Sequence, residues 1–373
     1  MRIYLDNNAT TAIHADVLST LDTMLRNVFG NASSIHKEGQ TARQVIEDAR
    51  ESLARLIAAS AREIVFTSGG TESNNAAIFG AVSTLGIHHI VTTAIEHPSV
   101  VEPVAELRRR GHEVVFVPPS RNGVVDAQAV IDSMRNETRL VTVMLANNET
   151  GVLQPVAEIA RACRERGVHM HCDAVQAAGK IEIDVQQLGI DTLSLSAHKI
   201  HAPKGIGALY VRRGTKMQAH LFGGAQERRR RAGTENVPLA AAFGVAATLA
   251  GESGFKPEVA ALRDRFESAI ADLGVTINGA AAPRVPNTSN VTFHGADGEG
   301  IVIGLDLNGI AASTGSACSS GRIEPSHVLV AMGLPEEDAK ATVRFSLSRF
   351  TTTGEIDSAV AVLREVVPRV RKV

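Results

Sequence analysis

Between residues 63 and 172 the chain alternates short apolar runs with segments of helical periodicity, and this alternation constrains the fold more than any other feature. Apolar runs of strand length that are separated by helices predict strand–helix units. Repeated units of this kind build a mostly parallel sheet with helices on both faces. The predicted strands are 63–67, 88–93, 113–117, 139–145 and 168–172, and the predicted helices between them are 71–85, 98–110, 126–135 and 155–167.

The pattern changes near Gly251–Gly254, which is a plausible domain boundary because small and polar residues cluster there. Beyond it, helices and strands no longer alternate regularly, as is typical of a smaller α+β domain. We therefore expect an α/β fold with a large domain over 15–250. The small domain would consist of 1–14 and 251–373 and would contain a loop at 312–324.

Composition excludes several classes of protein. The chain has 373 residues and a formal net charge of −2, which argues against a nucleic-acid binder driven by overall charge. No apolar run reaches the roughly 18 residues of a membrane span, and the N-terminus has no signal-peptide pattern. Cys163, Cys172 and Cys318 form neither an even disulfide set nor a CxxC pair. A cytoplasmic location is expected.

Ligands of parallel sheets bind at the carboxyl ends of the strands, so the residues that follow each predicted strand are candidates for a site. After the first strand, Gly69 and Gly70 lead into Thr71 at the start of a helix. Free N–H groups at such a helix start favour a phosphate, and the Thr71 hydroxyl adds a donor. The alternative is an ordinary helix cap by Thr71.

Three ionisable residues follow other strands. Lys199 lies on a Pro/Gly-rich turn between two strands, where it either reaches the surface or serves, when desolvated, as an amine for Schiff-base chemistry. Asp173 ends an apolar strand, so its carboxylate needs a partner such as a protonated pyridine nitrogen. His97 either stacks on a planar ring, acts as a catalytic acid or base, or is a loop histidine before the helix-starting Pro98.

Two further strand ends are less specific. Asn147 and Asn148 make a turn by default, although their amides also suit a ring oxygen or a carboxylate. His169 and His171 have a spacing that would suit a metal, but no further ligands lie near them in sequence. We interpret the two histidines as structural and expect no metal site.

The strand ends together predict a cofactor. A phosphate cradle, a ring-facing histidine, a carboxylate and an amine are what pyridoxal 5'-phosphate requires, because it carries a phosphate, a ring nitrogen and an aldehyde.

The chain closely resembles the cysteine desulfurases of the NifS/IscS type, which share the fold-type I architecture of pyridoxal-phosphate enzymes. That architecture has a large domain with a mostly parallel seven-stranded type of sheet and a smaller α+β C-terminal domain. The resemblance covers nearly the whole chain. Its motifs are YLDNNATT at 4–11, TSGGTESNN at 67–75, EHPSV at 96–100, NNETG at 147–151, DAVQ at 173–176, SAHKIHAPKG at 196–205, RAGTEN at 231–236, STGSACSSG at 313–321 and RFSLSRFTT at 344–352.

The resemblance implies a role for each matching residue. Lys199 would hold the cofactor as a Schiff base, and Asp173 would pair with the ring nitrogen. His97 would stack on the ring and, as a catalytic residue, move protons. Gln176 would bond the ring 3-oxygen. The residues implied in phosphate binding are Gly70, Thr71, Ser196, His198 and, from the other subunit of a homodimer, Thr234. Those implied in substrate binding are Asn148 and Arg344, with Arg344 clamping the substrate carboxylate.

Cys318 is the residue that would make the enzyme a desulfurase. It lies in a run of small polar residues, whereas Cys163 and Cys172 lie in a predicted helix and strand. By resemblance, Cys318 takes the sulfur of L-cysteine as a persulfide, leaves L-alanine, and passes the sulfur to an acceptor or scaffold protein for iron–sulfur cluster assembly. A transient contact between Cys318 and an iron–sulfur cluster is also implied.

Several alternatives stay open. The acceptor route could be nitrogenase cofactor supply, general iron–sulfur assembly or tRNA thiolation. A related pyridoxal-phosphate lyase or aminotransferase, such as a selenocysteine lyase, would share Lys199 and Asp173. A non-enzymatic alternative is a cofactor-binding scaffold protein. No nucleic-acid or membrane partner is expected.

Overall fold

The computed structural model describes residues 2–85, 89–252, 257–315 and 324–371. The helices in these ranges are α1 Ala15–Asn27, α2 Lys37–Leu56, α3 Gly70–Leu85, α4 Pro98–Arg109, α5 Ala127–Ser133, α6 Val156–Glu165, α7 Val185–Leu188, α8 Val237–Glu252, α9 Pro257–Ala269, α10 Gly298–Leu307, α11 His327–Ala331, α12 Glu336–Lys340 and α13 Thr353–Val370.

The strands are short and are divided among three sheets. They are β1 Ile3–Tyr4, β2 Ile64–Thr67, β3 His89–Thr93, β4 Glu113–Val117, β5 Thr138–Thr142, β6 His169–Asp173, β7 Thr192–Ser196, β8 Gly207–Val211, β9 Val275–Ile277, β10 Thr288–Phe293, β11 Ile310–Ala311 and β12 Thr342–Ser346.

A seven-stranded sheet in the order β2-β8-β7-β6-β5-β3-β4 forms the centre of the fold. Its strands pair in parallel except β8, which runs antiparallel to β2 and β7. This confirms the prediction of an α/β fold with a mostly parallel sheet. The carboxyl ends of β2, β3, β5, β6 and β7 therefore lie along one edge.

Every residue of β2, β3, β6, β7 and β8 is buried, whereas the edge strand β4 is buried only at Val117. Phe66, Val91, Leu193 and Tyr210 belong to clusters of buried apolar residues that join the strands to the covering helices. α2 and α8 pack against each other in the same layer. Strands that are covered on both faces read as continuous apolar runs, which is why the alternation is visible in the sequence.

A second hydrophobic cluster unites the N-terminus with the last third of the chain. Ile3 and Leu5 pack with Phe266, Phe293 and Phe345, beside the antiparallel sheet β12-β10-β9 and the pair β1–β11. The domain division into 15–250 against 1–14 with 251–373 stays a prediction, which this cluster supports.

Differences from the predicted elements are local. The predicted strand 139–145 is longer than the observed β5, which ends at Thr142. The residues after it still form hydrogen bonds with β6, since Val143 N donates to His171 O and Leu145 N donates to Asp173 O. β1, β11, α7 and α12 were not predicted, because they span two to five residues and hold too few positions to show a period.

Within the described ranges, no single helix combines the length and the apolar composition of a membrane span, and α8 and α9 meet both criteria only when counted together across a bend of 78°.

Candidate functional site

A cavity of ≈ 250 Å³ lies at the carboxyl edge of the central sheet. It collects side chains from the ends of β3, β5, β6 and β7 and from the start of α3, as expected for a ligand site in such a sheet. The predicted site residues that line it are Gly70, Thr71, His97, Asn148, Asp173, Gln176, Ser196, His198 and Lys199.

One end of the cavity is suited to an anion. α3 begins at Gly70 after the glycine turn, so its first N–H groups point out of the helix toward this end. A Cβ atom at Gly70 would lie 2.8 Å from Val175 Cγ2, and one at Gly207 would lie 2.7 Å from Gly69 Cα. Both glycines are therefore required for the close approach of the turn to β6 and β8.

Lys199 lies on a single 3₁₀ turn directly after β7, at the wall of the cavity. Its Nζ donates to Asn8 O at 2.5 Å and to Ala9 O at 2.8 Å. Burial, followed by the positive charge of Arg344, lowers the pKa of Lys199 to about 8 against the opposing charges of Asp6 and Asp173. A sizeable fraction of neutral amine is thus present near neutral pH, as a nucleophilic lysine requires.

Asp173 ends β6 and is almost entirely buried. Its Oδ2 accepts from Asn74 Nδ2 at 2.8 Å, and its Oδ1 accepts from Val175 N at 2.9 Å. Two donors fix the orientation of the carboxylate, which lines the cavity. The carboxylate can therefore face a cationic ring nitrogen in the position that the sequence predicted.

His97 is the N-cap residue of α4 and also lines the cavity. Its Nδ1 accepts from Ser99 N at 3.1 Å and lies 2.8 Å from Ser99 Oγ. Burial lowers the pKa of His97, and the charges of Lys199 and His327 lower it further, while Asp173 opposes them. The ring is therefore neutral at physiological pH, and the residue is exposed where it lines the cavity.

His198 is neutral for a similar reason. Burial and the charges of Lys199 and Lys204 lower the pKa of His198 to about 4. Its Nδ1 lies 3.2 Å from Thr10 Oγ1.

The N-terminal segment closes the cavity from the side of the second cluster. Asn8 O accepts from Gln176 Nε2 at 2.9 Å as well as from Lys199, and Asn8 Oδ1 accepts from Lys180 Nζ at 2.9 Å. Lys180 Nζ also donates to Gln176 Oε1 at 2.7 Å, which sets the orientation of this amide. Burial, with the charges of Lys199 and Arg344, lowers the pKa of Lys180 well below its usual value.

Arg344 does not line the cavity but lies behind Asn148. Its Nη1 donates to Asn148 O at 3.1 Å and its Nη2 forms an ion pair with Asp6 at 2.8 Å. Among the described residues, Arg344 Nε and Asn148 Oδ1 are buried without a hydrogen-bond partner. Unpartnered buried groups of this kind are costly, and both atoms are closed to solvent in this structure.

Besides Arg344, Thr234 is a predicted site residue that does not line the cavity. Thr234 is exposed and lines a separate cavity of ≈ 230 Å³. Cys318 lies outside the described residues. The loop before Thr234 is anchored by a buried ion pair, in which Arg50 Nη1 donates to Glu227 Oε2 at 2.7 Å and Phe66 N donates to the same oxygen at 3.2 Å.

Sequence reasoning missed Asp6, Asn8, Asn74, Ser99 and Lys180. All but Lys180 lie in a quoted motif, but an ordinary polar residue carries no signal of the side chain that it will meet in the fold. In the described part of the chain, no group of three or more His, Cys, Asp or Glu residues could hold a metal ion. His169 and His171 instead both contact Thr192 Oγ1, at 3.1 Å and 3.0 Å.

Glu96 is a buried acid that joins two strand ends. Its Oε1 accepts from Thr93 Oγ1 at 2.6 Å and from Met144 N at 2.9 Å, and burial raises the pKa of Glu96 to about 8. In the unfolded chain the Glu96 carboxyl has its ordinary pKa of about 4.3 and loses its proton above that pH. In the folded protein Glu96 keeps the proton up to about pH 8. The contribution of Glu96 to stability is complete below about pH 4.3 and is lost as the pH rises toward about 8.

We expect Glu96→Gln to remove this pH dependence, because glutamine has the shape of the protonated acid and does not titrate. The parent should lose up to about 1.4 kcal/mol of unfolding free energy per pH unit relative to the variant between pH 5 and 8. Urea unfolding at several pH values measures the difference. The exposed Glu102→Gln serves as control, and parallel curves for parent and Glu96→Gln would contradict the expectation.

The chain matches known proteins over nearly its whole length. A model of the class V aminotransferase family matches residues 3–358. A cysteine desulfurase of Nostoc sp. is 46% identical over 375 residues, covering 99% of this chain and 94% of the relative. The cysteine desulfurase IscS of Dictyoglomus turgidum is 43% identical over 380 residues, covering 100% of this chain and 96% of the relative.

Solved structures give the same result. A structure described as a NifS-like protein matches with a TM-score of 0.92 and 35% identity, covering 98% of this chain and 99% of the other. A structure of SspA in complex with cysteine matches with a TM-score of 0.85 and 36% identity, covering 94% of this chain and 100% of the other. The chain therefore belongs to the class V aminotransferase family and, within it, to the pyridoxal-phosphate-dependent cysteine desulfurases of the NifS/IscS type.

Proposed function

We propose that this enzyme removes the sulfur of L-cysteine, releases L-alanine, and carries the sulfur on Cys318 to an acceptor protein for iron–sulfur cluster assembly. The observation that carries the proposal is the cavity in which an amine, a carboxylate and a helix N-terminus face one volume. The relative of known structure that was solved with cysteine supports L-cysteine as substrate.

The residues of the cavity fit pyridoxal 5'-phosphate by their chemistry. The start of α3 with Thr71, together with Ser196 and His198, offers donors to a phosphate. Asp173 is oriented for a ring nitrogen, and Lys199 has the lowered pKa of an amine that condenses with an aldehyde. When bound, the cofactor supplies an electron sink for the bonds of the substrate α-carbon.

The remaining steps, which are substrate binding and proton transfer, are carried out by side chains of the protein. Arg344, next to Asn148, binds the substrate carboxylate, for which a guanidinium is the preferred partner. Lys199 Nζ accepts and returns the proton of the substrate α-carbon, since its pKa of about 8 lies near the working pH. The carboxylate of Asp173 lines the cavity, where it would favour positive charge on the cofactor ring.

Cys318 then takes the sulfur. Its thiolate attacks the substrate sulfur, a sulfur–sulfur bond forms, and the carbon–sulfur bond breaks with its electron pair remaining on carbon. Cys163 and Cys172 are unsuited to this step because both are buried. Burial raises the pKa of Cys163 to about 12 and raises that of Cys172 well above its usual value, so that neither forms a thiolate near neutral pH.

The test compares three cysteine variants of the pyridoxal-phosphate-loaded enzyme with L-cysteine as substrate. We expect Cys318→Ala to abolish alanine and sulfide formation while the cofactor remains bound. Cys163→Ala and Cys172→Ala should keep parental rates once their folding is verified by circular dichroism. Mass spectrometry of the parent after one turnover should find the persulfide on the peptide that contains Cys318. Parental sulfide release by Cys318→Ala would refute the proposal.

A homodimer completes the proposal. Thr234 is exposed and lines a cavity apart from Lys199 in its own chain, which supports a contact with the cofactor phosphate of a partner subunit. Exposed apolar side chains on and after α1, among them Leu25 and Phe29, would then be covered by the second copy. We further propose a cytoplasmic location, in keeping with the free cysteines.

Subunit mixing tests the contribution of Thr234. A Thr234→Ala homodimer should retain pyridoxal phosphate more weakly than the parent, and a Lys199→Ala homodimer should be inactive. A hybrid dimer of the two variants would contain one site with both an intact Lys199 and an intact Thr234. We expect this hybrid to regain close to half of the parental activity at limiting cofactor. A hybrid no better than the Thr234→Ala homodimer would place Thr234 in its own subunit's site.

A further inference from the structure

A chain of hydrogen bonds with a defined direction runs from the interior of the sheet to the ring of His97. Asn74 Nδ2 lies 2.8 Å from Asp173 Oδ2 and 2.8 Å from Ser99 Oγ. Both contacts are made by the amide nitrogen, so Asn74 donates an N–H group to each of these two oxygens. Its Oδ1 faces the other way and accepts from His171 Nε2 at 3.0 Å.

This direction determines where the hydrogen of the Ser99 hydroxyl lies. Ser99 Oγ accepts from Asn74, so its own hydrogen is free for its other neighbour, His97 Nδ1, at 2.8 Å. The backbone N–H of Ser99 donates to the same ring nitrogen at 3.1 Å. A nitrogen that accepts from two donors carries no hydrogen, so the hydrogen of the neutral ring is on Nε2.

We propose that Ser99 and Asn74 are positioning residues that hold His97 as the tautomer with its hydrogen on Nε2, at the edge open to the cavity. His97 then presents a ring face and a hydrogen-bond donor to the cofactor or substrate. It has no lone pair on the cavity side and so does not act there as a base. The tautomer follows from the contacts alone, and only its catalytic consequence rests on the proposed function.

The groups around His97 agree with a neutral ring. Asp173 on β6 favours the imidazolium, whereas Lys199 after β7 and His327 on α11 oppose it. Glu96, the preceding residue, is held largely protonated near neutral pH because burial raises its pKa. An imidazolium would also need a hydrogen on Nδ1, which would point at the two Ser99 donors. Proton transfer at the substrate α-carbon is thereby assigned to Lys199.

The first measurement is the tautomer itself. The pyridoxal-phosphate-loaded enzyme is labelled with ¹⁵N-histidine, and long-range ¹H–¹⁵N spectra show which ring nitrogen carries hydrogen. The His97→Gln variant identifies the signals of His97. We expect a protonated Nε2 and an unprotonated Nδ1 near pH 8. A hydrogen on Nδ1 would overturn the inference even if the enzyme proved to be a desulfurase.

The second measurement is the pKa of His97 in variants. Ser99→Ala removes one donor, and Asn74→Ala frees the Ser99 hydroxyl to accept from a protonated Nδ1. Each should raise the pKa of His97 by about one unit, the size of one hydrogen bond that favours a single protonation state. Ser99→Thr, which keeps the hydroxyl, should restore the parental value. Asn75→Ala, on the exposed side of α3, is the matched control and should change nothing.

A double variant distinguishes an effect of Asn74 that passes through Ser99 from a direct electrostatic effect of Asp173 on His97. If Asn74 acts through Ser99, adding Asn74→Ala to Ser99→Ala leaves the pKa of His97 where Ser99→Ala put it. A further shift in the double variant, or none in either single variant, would overturn the inference. Should Asn74→Ala not fold, the contrast between Ser99→Ala and Ser99→Thr decides. Because both readouts are independent of turnover, their failure is distinguishable from a failure of the proposed reaction.

Discussion

Replacing Lys199 with alanine is expected to lower the rate of alanine formation from L-cysteine by at least about a thousandfold. Proton transfer by a positioned side chain alone contributes a factor of about 10²–10⁴ to the rate. In addition, Lys199 is the only lysine that lines the cavity among the described residues. The folded state should tolerate the change, because the lysine is partly accessible and its two acceptors are backbone carbonyls at the cavity wall.

The covalent role of Lys199 is measured separately from turnover. Borohydride reduction of the loaded enzyme should attach the cofactor to the peptide that contains Lys199, and the absorption band of the bound cofactor should change in Lys199→Ala. The exposed Lys204→Ala is the matched control, five residues along the same turn. A cofactor attached to another lysine, for example the buried Lys180, would contradict the assignment.

Asp173→Asn is expected to have the second largest effect. The variant keeps the size of the side chain but removes the negative charge that faces the ring side of the cavity, so we expect kcat to fall by about 10²–10³. Part of this loss reflects a weaker bond with Asn74, since a hydrogen bond to a charged group contributes about 1.5–3 kcal/mol. KM for L-cysteine should change little, because Arg344 rather than Asp173 is the proposed partner of the substrate carboxylate.

A cofactor analogue provides the decisive control for Asp173. Pyridoxal phosphate that is methylated at the ring nitrogen carries a permanent positive charge and needs no carboxylate to keep it. It should restore part of the activity of Asp173→Asn, whereas the parent should gain nothing from it. Asp126→Asn, an exposed helix cap, controls for a general loss of acidic residues. Equal activity of Asp173→Asn and the parent with the natural cofactor would contradict the role.

Most of the fold was predictable because the strands of the central sheet, apart from the edge strand β4, are almost entirely buried. The apolar runs that became β3, β4 and β6 are long enough to show in the sequence, and so are the helices between them. The site residues that follow these strands were predictable for the same reason, since parallel strands bring their carboxyl ends to one edge. The edge holds Asp173, His97 and Lys199, as expected.

The residues that the sequence did not reveal act through contacts between distant segments. Asn8 bonds Gln176, Lys180 and Lys199, which lie 168, 172 and 191 positions away. No local period connects such residues, and asparagine is common in turns. The partner of Arg344 was missed likewise, since Asp6 lies 338 positions from it and reaches it only because β1 and β12 belong to one cluster.

The sequence by itself determined the α/β class, the order of the strands along the chain, the family, and which side chains stand at the strand ends. These follow from local periodicity and from motifs that are contiguous in the chain. Only the tertiary structure decided the protonation of those side chains, because burial and neighbouring charges set it. The lowered pKa of Lys199, the raised pKa of Glu96 and the tautomer of His97 each depend on groups that folding alone brings together.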